Sequence, residues 1–127
     1  NGTMAEFCAT CHGNFHTTTT TKSPGIGTGT SPFIRHPSDY TIPNSGEYAG
    51  FDTYLLDTPV ARTSVPTSAD GNVTPGTDSV MCLSCHYAHA GPNPDMLRWD
   101  YNGMEVGNAD SLGTNGTGCF ACHSAKE

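Results

Sequence analysis

Hydrophobic positions in this chain come in short runs, and only three stretches carry a helical reading. Residues 6–11 can form a short helix with Gly13 as its stop. A second helix is expected to run through Cys82, Cys85 and His86, with Asp78 or Ser79 as its N-cap and Gly91-Pro92 ending the segment. A third begins near Gly118, with Lys126 placed to suit the negative end of its dipole. Between them, Thr17 to Thr21 is an unbroken threonine run, and residues 17–31 have no period of either kind. They read as an exposed loop. Residues 67–78 are rich in turn formers, with Asp70-Gly71 suited to a tight turn. Residues 102–117 return to Gly, Asn and Thr, and any strands within 32–66 are expected to be short. The predicted fold is a few short α-helices in a mostly irregular, loop-rich chain with little or no β-sheet.

Each predicted helix carries the same pentapeptide pattern. The copies are Cys8-Ala-Thr-Cys11-His12, Cys82-Leu-Ser-Cys85-His86 and Cys119-Phe-Ala-Cys122-His123. C-x-x-C-H is the attachment signature of a c-type haem. One helical turn brings cysteines i and i+3 onto one face, where two thiols can add across the two vinyl groups of a porphyrin. The histidine that follows can then reach the iron as its proximal ligand. A zinc reading takes C-x-x-C pairs in twos, whereas there are three here. A disulfide framework would use all six cysteines. Neither gives a reason for a histidine at the same offset each time. The expected cofactors are three covalently bound c-type haems.

Six histidines are present, and three belong to the motifs. His16, His36 and His89 remain, so the supply of second imidazoles equals the demand of three bis-histidine irons. Met4, Met81, Met96 and Met104 are the alternative distal ligands, although methionine more often fills apolar gaps. His16 follows His12 by four residues and His89 follows His86 by three. Two histidines that close cannot clamp opposite faces of one iron, so each is expected to serve a neighbouring haem. Pro37 biases His36 to an extended backbone. Arg35 and Arg62 are candidate propionate partners, and Trp99 can cover a haem edge or fill the small core. Asp70, Asn72 and Asp78 could line a calcium loop, but their spacing does not match an EF-hand, and the turn reading is preferred.

Composition changes the picture in two ways. At 127 residues with 35% hydrophobic content, 15 Gly and 9 Pro, the chain is expected to be one three-haem domain, residues 1–127, whose haems stand in for a core. The formal charge of −7 with only five Lys+Arg makes nucleic acid and anionic membranes poor partners. No apolar run is long enough to span a bilayer. A chain beginning at Asn1 suggests an export signal already removed, which agrees with covalent haem attachment outside the cytoplasm. The Thr-rich loop suits O-glycans, and Asn1-Gly-Thr3, Asn72-Val-Thr74 and Asn115-Gly-Thr117 match the N-glycan sequon.

Cys-His-Gly-Asn-Phe-His, Arg-His-Pro, Pro-Val-Ala-Arg, Met-Cys-Leu-Ser-Cys-His-Tyr-Ala-His-Ala and Leu-Arg-Trp-Asp-Tyr, followed by the last C-x-x-C-H, together resemble outer-surface multihaem c-type cytochromes. Some members of that family polymerise into cytochrome nanowires. The resemblance spans roughly residues 4–16, 32–62 and 78–126, and it implies extracellular or cell-surface electron transfer rather than an enzyme activity. It also implies that His16, close behind the first motif, can ligate a haem of the next subunit. Two wirings follow. In a closed monomer, His16 serves the second haem, His89 the first and His36 the third. In a head-to-tail homopolymer, the preferred reading, His89 serves the first, His36 the second and His16 the third haem of a neighbour. Other redox proteins or extracellular acceptors would be the remaining partners. The alternative function is a soluble periplasmic three-haem shuttle.

Overall fold

The computed structural model describes residues 3–12, 36, 38–64, 67–68, 70–106 and 116–124. In chain order come helix α1 (Met4–His12), strand β1 (Tyr40–Thr41), a 3-10 turn at Gly46–Tyr48 and strand β2 (Ser79–Val80). Helix α2 (Cys82–Cys85), turns at Pro94–Met96 and Tyr101–Gly103, and helix α3 (Cys119–Cys122) follow. The two strands pair antiparallel, Tyr40 opposite Val80 and Thr41 opposite Ser79. The architecture is the few-helix, loop-rich one expected from the pattern, with one two-stranded sheet among the described residues. Among the described residues no helix is long and apolar enough to cross a membrane.

Helix α1 starts earlier than the pattern suggests. Thr3 caps it, its Oγ1 accepting from the Ala5 amide at 3.0 Å. Helix α2 starts later, because Ser79 and Val80 are committed to β2. Neither Asp78 nor Ser79 is the cap. Asp78 is buried, its carboxylate accepting from the Thr74 amide at 2.9 Å and lying 3.4 Å from Arg62 Nε. The expected stop at Gly13, the dipole-suited Lys126, the loop 17–31, Arg35 and Pro37 lie outside the described residues.

Ile42, Phe51, Val73, Val80 and Ala121 form the buried apolar cluster, with Tyr48, Tyr54, Leu55, Val60 and Cys122 packed against it. It draws one or two side chains from each segment, so it joins α3 to the sheet and to the 46–55 loop rather than forming a layer. Arg62 closes the turn-rich segment. Its guanidinium donates to Asp70 Oδ1 at 2.8 Å and to the Asn72 carbonyl. The three residues of the conceivable calcium loop thus surround a guanidinium, and the same contacts leave Arg62 committed away from a propionate role. Arg62 in turn holds the Asp70 carboxyl below its ordinary range, chiefly through that hydrogen bond.

Gly118, at φ +62°, turns the chain into α3. A Cβ there would meet Met104 Cγ at 2.6 Å, Met104 Sδ at 2.7 Å and Trp99 Nε1 at 2.9 Å. Gly118→Ala combines a disfavoured backbone with a crowded site. It is expected to cost about 1–3 kcal/mol, read as a lower denaturant midpoint of the haem-loaded protein. An unchanged midpoint would show that this packing is slack.

Candidate haem sites

The second and third motifs are built alike. Each is a single helical turn, and the histidine amide closes it on the carbonyl of the first cysteine: His86 to Cys82 at 3.0 Å, His123 to Cys119 at 3.1 Å. Ser84, between the cysteines of α2, is almost fully buried. Its Oγ donates to the Pro59 carbonyl at 2.6 Å and accepts from the Met81 amide at 3.1 Å, which pins α2 to the 59–61 strand-like segment. In α3 the anchor is Ser124, whose Oγ donates to the Glu47 carbonyl at 2.9 Å. The first motif rides on α1. Asp39, at φ +57°, ties α1 to the sheet by accepting from the Thr3 amide at 2.8 Å while its own amide donates to Val80 at 2.8 Å.

Burial raises the Cys82 thiol, and Cys8 is the next contributor. Burial pushes Cys85 up to about 12, with Cys119 next, and Cys122 up to about 12, with Cys85 next. The second motif thus has one thiol near the first motif and one near the third. No two cysteines are bonded to each other. Among the described residues no three His, Cys, Asp or Glu side chains converge as zinc ligands would.

The histidines meet in pairs drawn from distant parts of the chain. His12 and His89 have ring centroids 6.2 Å apart, with planes tilted by 38°. His36 and His123 also have centroids 6.2 Å apart, with planes crossed at 87°. Two imidazoles on opposite faces of one metal should have centroids about 6.2 Å apart, given bonds of ~2.0 Å and ~1.1 Å from nitrogen to ring centre. Both pairs match that gap, so the residues present fit a bis-imidazole haem at the first and third motifs. His36 thus faces His123, not His86 as in the homopolymer wiring. His36 lies shortly before β1 in the chain, and Ile42, just after β1, packs in one cluster with Ala121 of α3. His16 lies outside the described residues.

Around the proximal histidines the surroundings differ. His86 Nδ1 is 2.9 Å from the Asp95 carbonyl, a contact that leaves Nε2 to face a metal. Asp95 and Met96 both take positive φ, 55° and 56°, to aim that carbonyl inward. His123 Nδ1 is 3.1 Å from a Glu47 carboxylate oxygen, and Tyr48 lies 5.0 Å from the His123 ring. Burial, and then the Glu47 charge, holds the Tyr48 hydroxyl above its ordinary pKa. Trp99 Nε1 is buried with no hydrogen-bond partner among the described residues, and it lies 2.9 Å from where a Gly118 Cβ would be.

Residues 74–127 match the family described as the doubled CXXCH motif. The match takes in the second and third motifs and indicates a multihaem c-type cytochrome. No curated protein and no solved structure matches the chain. Covalent c-type haem and electron transfer are the chemistry that the doubled motif carries. The first motif lies upstream of the matched segment, in α1. Sequence reasoning misses Glu47, Ser84, Asp95 and Ser124. No signal marks them, because each acts through a contact set by folding, across nine positions for Asp95 and across 77 for Ser124.

Proposed function

We propose that this chain is a three-haem, bis-histidine c-type cytochrome that carries electrons outside the cytoplasm. The haems are attached at Cys8/Cys11, Cys82/Cys85 and Cys119/Cys122. His12 with His89 and His36 with His123 complete two irons, and His86 with His16 completes the one between them. The observation that carries this reading is the matching 6.2 Å gap in two imidazole pairs assembled from different segments. Bound haem would supply a one-electron couple at each site. The chain's residues hold the rings: Ser84 and Ser124 anchor the motifs, and the Asp95 carbonyl orients His86. If two imidazoles hold each iron, no position would be left for a substrate, which supports electron transfer rather than catalysis.

A filament subunit is the second reading. It rests on the resemblance to nanowire-forming cytochromes and on His86, which has no imidazole opposite it among the described residues. If His16 of one chain completes the His86 site of the next, head-to-tail contacts need not close. His16→Ala separates the cases. In a fibre it should dissolve the polymer and turn about one third of the haem high-spin, as read by negative-stain microscopy and the ferric absorption spectrum. In a shuttle the same spectral change should appear without fibres before or after. A fully low-spin His16→Ala protein would remove His16 from the ligand set.

A further inference from the structure

The proximal histidines of the second and third motifs face opposite electrostatic surroundings. His86 Nδ1 meets a neutral main-chain carbonyl, that of Asp95, at 2.9 Å. Arg98 also lies at this motif: its Nε donates to the Leu83 carbonyl at 2.7 Å, and its guanidinium sits 4.8 Å from the centre of the Tyr87 ring. His123 Nδ1 instead meets the Glu47 carboxylate at 3.1 Å. That approach is oblique, and the buried nitrogen makes no aligned hydrogen bond among the described residues. A full charge at such a distance acts through Coulomb's law whatever the alignment.

Glu47 is held there by its backbone. Ser124, next to His123, donates its Oγ to the Glu47 carbonyl at 2.9 Å. The space is closed on the far side, where a Cβ on Gly50 would meet that Oγ at 2.8 Å. The turn Gly46–Tyr48 is therefore clamped to the third motif, with Tyr48 packed on the His123 ring and Glu47 at its outer nitrogen.

We propose that Glu47 is a positioning residue that sets the third site at a lower reduction potential than the second. A carboxylate beside the ring N–H makes the imidazole a stronger donor, and its negative charge favours the more positive, ferric state of the metal. Arg98 acts in the reverse sense at the second motif. Both effects push the one-electron equilibrium between these sites toward an electron resting at the second. The inference rests on haem being attached at the third motif, as proposed above.

The test is a redox titration of the haem-loaded protein followed by electron paramagnetic resonance, comparing wild type, Glu47→Gln and the exposed control Asp57→Asn. The two ring pairs provide the assignment. Crossed axial imidazoles, as in His36–His123 at 87°, give a broader and more anisotropic low-spin line than the less crossed His12–His89 pair at 38°. Glu47→Gln is expected to move the crossed component upward by about tenfold in its equilibrium constant, about 59 mV for one electron. The other components should stay, and Asp57→Asn should move none. If Glu47→Gln does not accumulate, Glu47→Asp, which draws the charge back, should move the same component up by less. No shift, an equal shift of every component, or movement of the less crossed component alone would overturn the proposal. A mass spectrum lacking the third adduct would overturn the haem assignment itself, whereas three adducts with unmoved potentials would overturn only the role of Glu47.

Discussion

Replacing all six motif cysteines with serine is expected to leave a chain with no cooperative unfolding transition. Among the described residues the buried apolar cluster has five members, one of them an alanine. The helices that carry the second and third motifs are four residues each, far below the length at which a helix holds itself together. A two-residue sheet adds little. Side chains this few cannot offset the conformational entropy of ordering the loops, so an apolar cofactor bonded to the backbone has to supply the missing interior. Cys85 and Cys122, whose thiols are pushed up to about 12 by burial, would be poor nucleophiles in a closed chain. Attachment is therefore expected before folding. Far-ultraviolet circular dichroism across a denaturant series checks this. A sigmoidal transition in the serine variant would show that the polypeptide has a core of its own.

His89→Ala and His36→Ala are each expected to turn about one third of the haem high-spin, and to do so at different sites. His89 stands 6.2 Å from His12, and His36 the same distance from His123. His89 holds φ +59°, a backbone state costing about 1–2 kcal/mol for an L-residue. Such a cost persists only where the surroundings insist on it, as a bond from its ring to metal would. Three of the four methionines do not offer a ready substitute. Met104 is packed at Gly118 and Trp99, while Met4 and Met96 are 50% and 41% exposed. Ferric absorption and resonance Raman spectra of the two single variants and the double variant give the count. A double variant with no more high-spin haem than either single one would mean that both histidines serve one iron, or none.

Much of the haem chemistry is legible in the order of residues. C-x-x-C-H is local: cysteines and histidine act within one helical turn, so their spacing alone carries the chemistry. The short-helix, loop-rich architecture follows from the same economy of apolar residues. The helix starts are not legible, because the strand at Ser79 and the cap at Thr3 depend on partners elsewhere, β1 in one case and Asp39 tying down the N-terminus in the other. Arg62 looks available for an acidic cofactor edge, yet Asp70, Asp78 and the Asn72 carbonyl surround it. That neighbourhood needs the 70–78 turn to fold back, which no periodicity announces.

The amino-acid order by itself determined where porphyrin can be bonded and how many imidazoles are available, because both are properties of short peptides and of simple counts. The tertiary structure decided which imidazoles face each other and what lies behind them. His36 reaches His123 across 87 positions of chain, and Glu47 reaches the same ring across 76. Such meetings are set by the way β1, β2 and the 46–55 loop close on α3. Spacing along a chain carries no information about contacts that only the closing of loops creates.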